Sequence, residues 1–323
     1  MPSNDSLPPD ASKTATIIGG GVIGASWAAL FLANGLRVVV CDPDPAVTAA
    51  LPGIVAAAMP ALRALGYRPV DIDANLTLES DVARAVTRAD IVQECSPEDL
   101  AVKQALWTTI EAAAPVQALL LSSSSAIPAS RQAMQMRDRS RLMIGHPSNP
   151  PHLMPLVEVV PAPDTNPVLV DRALAFYGDI GKVARAVRKE IPGFVANRLQ
   201  AALFRESVFL VREGVVSLDE LDDIVTHSLG IRWATSGPFL SFHLGSGAGG
   251  LTRFLEHFGS PMETAWSHLG SATLDDATRA LLTEQVERSY GMASFEELTE
   301  LRDAREVNII EGLFALGCPV QRP

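Results

Sequence analysis

From Thr14 to about Val187, short apolar runs alternate with longer stretches whose apolar residues recur every three or four positions. The runs are ATII, RVVVC, ADIVQE, ALLLS, RLMIG and PLVEVV, and between them lie segments such as ASWAALFLANG and LAVKQALWTTIEAAA. Continuous apolar runs predict strands covered on both faces, and the helical segments between them predict βαβ crossovers, so the sheet is expected to be mostly parallel. After Ile191 the texture changes. GFVANRLQAALFRESVFLVREG keeps helical spacing until Gly214, and Ser217 with Glu220, then Ser294 with Glu297, mark capping-box helix starts. The expectation is an α/β domain over 13–190 followed by an all-α domain over 191–323, divided at VRKEIPG. Residues 1–12 are polar and proline-rich, and read as a disordered lead-in without the apolar stretch of a signal peptide.

Length and composition agree with two domains, since 323 residues exceed what one core usually organises. The chain is 47% hydrophobic and 20% charged, with a net charge of −11, which argues against a nucleic-acid partner and against adhesion to anionic membrane. Runs such as VVVC and ALLL are too short to span a bilayer. Cys41, Cys95 and Cys318 have no CxxC spacing, which fits a reducing, cytoplasmic location. The histidines at 152, 227, 243, 257 and 268 lack a spacing such as HExxH, so no metal site is expected.

ATIIGGGVIGASWAAL carries G-x-G-x-x-G as Gly19, Gly21 and Gly24, directly after a strand and opening a helix. Gly19 would make the tight turn, Gly21 would let backbone approach a pyrophosphate, and Gly24 would let helix and strand pack closely. Val22 and Ile23, at the helix start, would present their amides to the phosphates. The next strand ends at Asp42, whose carboxylate would accept hydrogen bonds from an adenosine ribose and repel a 2′-phosphate. Arg37 lies at the other end of that strand. NAD is thus favoured over NADP; on the motif alone, FAD stays open, and so does a glycine turn that binds nothing.

GHPSNPPHLMPLVEVV, at 145–160, places a histidine and a glutamate twelve positions apart with four prolines between them. His146 follows a strand and so sits at the carboxyl end of the sheet, where open α/β sheets hold ligands. Oxidising an alcohol requires a group to take the hydroxyl proton, and a neutral imidazole serves. Glu158 lies in an apolar strand, an odd place for an unpaired carboxylate, and a pair with His146 would fix the ring's orientation. A loop histidine and a solvent-facing glutamate are the competing reading.

These residues, with SSSSAI upstream and EIPGFVANRLQ downstream, resemble the 3-hydroxyacyl-CoA dehydrogenase superfamily, most closely its lambda-crystallin/L-gulonate 3-dehydrogenase branch. The resemblance runs from the glycine loop through GIRWATSGPF and HLGSGAGG to the C-terminal helices. It implies a Rossmann-type NAD-binding domain, with His146 and Glu158 as the catalytic pair. It further implies that Ser125 hydrogen-bonds the substrate oxygen, that Asn197 supports the reacting carbonyl at an interdomain cleft, and that Asn149 shapes the pocket. Glu98 and Lys103, in SPEDLAVKQ, match residues near the nicotinamide ribose. A homodimer through the C-terminal helices is also implied.

Enzymes of this superfamily acting on acyl-CoA usually carry a lysine-rich helical insertion after the second strand. Here PDPAVTAALPGIVAAAMPALRALGYRPVDIDAN contains no lysine, which favours a small free 3-hydroxy acid. Arg232 is the expected partner for its carboxylate. L-Gulonate-like sugar acids rank first and L-carnitine second, its trimethylammonium needing an aromatic face such as Trp233, Phe239 or Phe242. An acyl-CoA ranks third. Ser236 and Ser241 depart from the gulonate pattern around GPF. A crystallin-like structural role is the reading from another class, and the intact Ser–His–Glu–Asn set argues against it.

Overall fold

A computed structural model describes residues 13–68 and 71–315, so the lead-in at 1–12 and Cys318 lie outside the described residues. The chain divides into two compact units, residues 13–198 with 303–315, and residues 199–302.

The first unit opens with β1 (Thr14–Ile18), α1 (Val22–Ala33), β2 (Arg37–Cys41), α2 (Pro45–Ala64), a single turn α3 (Ile72–Asn75) and β3 (Leu76–Glu79). It continues with α4 (Val82–Val86), β4 (Ile91–Glu94), α5 (Leu100–Ala113), β5 (Leu119–Ser122), the turn α6 (Ala129–Gln132) and β6 (Leu142–Pro147). β7 (Leu156–Pro161), α7 (Pro167–Asp179) and β8 (Val183–Ala186) complete the sheet, whose order is β3-β2-β1-β4-β5-β6-β7-β8. Helices cover both faces, which explains the continuous apolar runs. In β5, Leu119 and Leu121 face the core with α1, α2 and α7, while Leu120 faces the one holding Trp107 and Ile110 of α5. Trp27 and Trp107 are fully buried on opposite sides.

Every pairing is parallel except β6 with β7. A parallel return needs a dozen or more residues, and the connection from 148 to 155 is shorter and broken by prolines, so the chain turns straight back. That reversal places His146 directly opposite Glu158.

Two strands are missing from the sequence reading, β3 (LTLE) and β8 (VARA). Both are short, partly exposed edge strands without the buried run that marks the others. A second correction concerns α2. Its 20 residues hold an 18-residue stretch of mean hydropathy 1.6, long and apolar enough by composition to cross a membrane, contrary to the reading of the shorter runs. Here α2 seats Leu51, Val55, Met59 and Leu62 in the core shared with α1.

The second unit is helical. α8 (Ala196–Arg212) runs into it, followed by α9 (Leu218–Val225), α10 (Ile231–Gly245), α11 (Gly250–Ser267) and α12 (Asp276–Tyr290), and α13 (Phe295–Ala315) starts within it. Both capping boxes form as expected. Ser217 and Glu220 exchange side-chain and backbone bonds at the start of α9, and Ser294 and Glu297 do so before α13. α10 is kinked where Gly237 takes φ +61° ahead of Pro238, and the departing serines, Ser236 and Ser241, bond one another across the kink at 2.8 Å.

Candidate active site

Each glycine of the loop has a different physical reason. Gly19 has φ +100°, and a Cβ there would lie 2.7 Å from the Cys95 carbonyl oxygen. At Gly24 a Cβ would lie 1.9 Å from the Gly19 oxygen, so only glycine lets α1 sit this close to the loop. Gly21 differs: nothing lies within 4 Å of the position its Cβ would take. No side chain caps α1 and no acidic residue occupies its first turn, so the amides that begin with Val22 and Ile23 face an open approach. Bare amides, positive dipole end and open space beside Gly21 fit a dinucleotide pyrophosphate.

Asp42 follows β2. Its Oδ2 accepts from the Gly20 amide at 2.7 Å and its Oδ1 from the Asp44 amide at 2.9 Å, which pins the carboxylate beside the glycine loop. It borders a cavity of about 270 Å³ together with Thr48, Leu78 and Glu79. Glu79 is held down to about 2 by Arg84, whose guanidinium grips both its oxygens, and by the amides of Asp81 and Ser80. The cavity's rim is therefore anionic, and the neighbouring arginine is already committed. A 2′-phosphate is disfavoured here, in keeping with NAD.

The centre of the site is the cross-strand pair. His146 Nδ1 and Glu158 Oε2 are 2.9 Å apart and both side chains are buried. The other carboxylate oxygen accepts from the amides of Val195 and Ala196, at 2.9 and 3.1 Å, where α8 begins. Burial pushes the Glu158 carboxyl up, but the His146 bond and these two amides outweigh it and hold it below the usual carboxylate range. A carboxylate on Nδ1 fixes the tautomer with the proton there and leaves Nε2 as the ring's base. Gly193 and then Phe194 both take positive φ, +75° and +47°, which turns the chain so that the two amides reach Glu158. The unusual backbone at Phe194 costs about 1–3 kcal/mol, offset by a fully buried ring packed on His146 at 5.4 Å.

The serine tract after β5 separates into framework and site. Ser122 Oγ donates to Glu94 at 2.6 Å, Ser123 Oγ accepts from Gln93 at 2.7 Å, and Ser124 Oγ donates to Glu98 at 2.5 Å. Ser125, half-buried, makes no such bond among the described residues. Of the four, its hydroxyl alone has no partner among the described residues.

Glu98 also accepts from the amides of Ala126 and Ile127, so it ties the turn after β5 in place. Lys103 is only 1% exposed. Its ammonium is taken by Glu94 at 2.8 Å and the Ser96 carbonyl at 3.2 Å, with Glu98 3.5 Å away, so it lies behind Glu98, beneath the strand ends. Asn197 is half-buried in the first turn of α8, next to the amide that holds Glu158, and Asn149 is exposed in the proline loop. Arg232 belongs to the second unit. There it borders a cavity of about 660 Å³ with Trp233, Phe242, Arg253, Phe254 and Phe258, while Phe239 is 77% exposed and outside that lining. Among the described residues no group of three or more His, Cys, Asp or Glu side chains could hold a metal.

The sequence reading missed three participants. Phe194 and the amides after it were invisible because backbone turns carry no side-chain signature. Ser26, on α1, accepts from the His152 amide and bonds its ring nitrogen, both at 2.8 Å. Lys182, just before β8, is buried under the proline loop.

Comparison with known proteins agrees with this geometry. Residues 14–191 match the family model of the 3-hydroxyacyl-CoA dehydrogenase NAD-binding domain, and residues 193–279 match that of its C-terminal domain. An L-carnitine dehydrogenase of Streptomyces griseus subsp. griseus is 39% identical over 98% of this chain and 93% of its own. A 3-hydroxyacyl-CoA dehydrogenase of Gibberella moniliformis is 38% identical over 90% of this chain and 92% of its own. Among solved structures, 5-formyl-3-hydroxy-2-methylpyridine 4-carboxylic acid 5-dehydrogenase, described as an NAD-dependent dismutase, superposes with a TM-score of 0.79 at 26% identity, covering 93% of this chain and 98% of that one. With its glycine loop, buried histidine–glutamate pair and both matching domains in order, the chain belongs to the 3-hydroxyacyl-CoA dehydrogenase family and uses NAD.

Proposed function

We propose that the protein oxidises the 3-hydroxyl of a small free 3-hydroxy acid to the 3-oxo acid, with L-carnitine as the first candidate. The observation that carries the chemistry is the buried His146–Glu158 pair, which leaves Nε2 as base. His146 Nε2 takes the hydroxyl proton, and the paired Glu158 balances the imidazolium that results. Ser125 and Asn197 steady the substrate oxygen, and Asn149 shapes the approach. Glu98, with Lys103 behind it, holds the turn beside the nicotinamide ribose. Bound NAD supplies the hydride acceptor.

The sequence alone ranks L-gulonate first. Relatives favour L-carnitine instead: besides the Streptomyces griseus protein, a Pseudomonas aeruginosa L-carnitine dehydrogenase is 38% identical over 90% of this chain. The second unit supports a zwitterionic acid. Arg232 and Arg253 suit a carboxylate, and Trp233 with three phenylalanines suits a quaternary ammonium, all around one cavity. The lysine-free α2 argues against a CoA tail. Exposed Phe204, Phe239, Leu255 and Trp266 give the helical unit the apolar surface of a homodimer contact, and light scattering of the full chain tests it. We place the protein in the cytoplasm, in keeping with its scattered cysteines.

The test is initial-rate NADH formation with L-carnitine, L-gulonate, L-3-hydroxybutyrate and its CoA ester, run beside His146→Ala. Turnover of L-carnitine that disappears in the variant supports the proposal. Turnover of the thioester alone overturns the free-acid reading, and NAD binding without turnover of any substrate revives a structural role.

A further inference from the structure

The proline loop between β6 and β7 has a bonding problem that its own backbone does not solve. Pro147, Pro150, Pro151 and Pro155 carry no amide hydrogen, so the segment is poor in donors. Its amides at Leu153 and Met154 both turn back to the Pro150 carbonyl, at 3.0 and 2.9 Å. Among the described residues, no backbone amide reaches the carbonyls of Pro151 and Met154. A single side chain reaches both: Lys182 donates to Met154 at 2.9 Å and to Pro151.

Lys182 is brought there by the chain around it. Gly181 takes φ +83°, the Lys182 amide bonds the Tyr177 carbonyl at 2.9 Å, and Val183 bonds the Pro155 carbonyl at 2.8 Å. The side chain then runs back beneath the loop, 7% exposed, with its ammonium 5.7 Å from the centre of the Trp27 ring on α1. No carboxylate among the described residues pairs with it. A buried ammonium without a counter-ion is costly, and a methionine of the same reach would fill the space but give these two carbonyls no donor. Burial pushes the amine down to about 7, the mark of that cost.

We infer that Lys182 is a positioning residue for the reaction at His146, holding the loop that follows the histidine through two carbonyls that no backbone amide reaches. Ser26 provides a second tether, taking the His152 amide from the dinucleotide-binding helix. Pro151 and Met154 are thus held by Lys182 and His152 by Ser26, in the loop that carries Asn149. The inference rests on the proposed reaction for its effect on rate, but the tether itself has a separate readout. A cavity of about 230 Å³ borders Lys182 together with His152, Tyr67 and Glu311.

The test uses the full chain with Lys182→Met and Lys182→Ala, and measures amide deuterium exchange, NAD binding and turnover. In both variants the amides of Leu153 and Met154 should exchange at least about 10-fold faster, while those of β6 and β7 exchange as in the unaltered protein. The turnover number should fall on the order of 10- to 100-fold with NAD affinity unchanged, because a displaced loop misplaces the reacting groups. Adding propylammonium to Lys182→Ala should slow the loop exchange and restore part of the rate, whereas propanol should do neither. Unchanged loop exchange overturns the inference. So does faster exchange throughout the sheet accompanied by loss of NAD binding, which would make Lys182 a stability residue only. If Lys182→Met does not fold, Lys182→Ala refolded with propylammonium decides by the same exchange readout. Failure of the unaltered protein to turn over any acid counts against the proposed reaction, and the exchange result still decides the tether.

Discussion

His146 and Glu158 are direct partners across the antiparallel pair of β6 and β7, with Nδ1 and Oε2 2.9 Å apart. Neither side chain touches the glycine loop in the bonds described above, so proton transfer and cofactor binding rest on different residues. His146→Ala should lower turnover roughly 10²–10⁴-fold while NAD affinity stays within about twofold. Initial rates and a fluorescence titration of NADH measure the two separately, and equal losses in both would count against the assignment.

Glu158→Gln should do more than remove a charge. Its amide nitrogen, set against Nδ1, would move the ring proton to Nε2 and remove the base, lowering turnover by roughly 10²–10⁴-fold. Stability has a matching signature. The folded carboxyl lies below its ordinary value, so the stabilisation is complete above the unfolded value and is lost as pH falls through the folded one. Acid urea melts of Glu158→Gln should show a flatter decline than those of the unaltered protein; parallel curves would remove Glu158 as the source.

The glycine loop offers a pair of substitutions with opposite expectations. Gly21→Ala adds a methyl into open space at φ −63°, so the melting temperature should hold while NAD binding weakens. Gly24→Ala drives a methyl to 1.9 Å from the Gly19 oxygen and should lower both. Thermal melts with and without NAD check this, and a Gly21→Ala protein that binds NAD normally would place the pyrophosphate elsewhere.

Ser125 and Ser122 should also part company. Ser125→Ala should lower turnover by about 10-fold or more without shifting the urea midpoint, since its hydroxyl bonds nothing in the framework. Ser122→Ala leaves the buried Glu94 oxygen without its 2.6 Å donor and should cost about 1–3 kcal/mol of stability. A destabilised Ser125→Ala would move that hydroxyl into the framework class.

Arg232→Ala should raise KM for a carboxylate substrate roughly 10- to 100-fold, the loss of one charge-assisted hydrogen bond, with turnover at saturation much less affected. An unchanged KM across the acid panel would return Arg232 to an ordinary surface role.

What could be read from the sequence depended on whether a residue's environment left a pattern in its neighbours. Strands buried on both faces were legible as apolar runs, and the capping boxes as serine–glutamate spacings, because in each case the cause is local. The edge strands LTLE and VARA left no such trace. Glu158 was legible as a misfit, a carboxylate in an apolar strand, and that misfit pointed correctly to His146. Its second set of partners was not legible, because backbone amides at 195 and 196 carry no residue preference. Lys182 was hidden for a related reason: the acceptors it serves are carbonyls 28 and 31 residues away. Arg232, Trp233 and Phe242 do meet around one cavity, whereas Phe239, one of three equivalent aromatic candidates on paper, does not.

The bonds from Glu158 to the amides of Val195 and Ala196 also set an order of events during synthesis. By residue 186 the growing chain has every strand of the sheet, the glycine loop and Asp42. The carboxylate beneath His146 still waits for nine or ten further residues before its second oxygen is bonded. In chain order, the residues that hold a dinucleotide therefore come before those that settle the proton acceptor, and the last of these lie at the start of α8, within the same unit as the sheet.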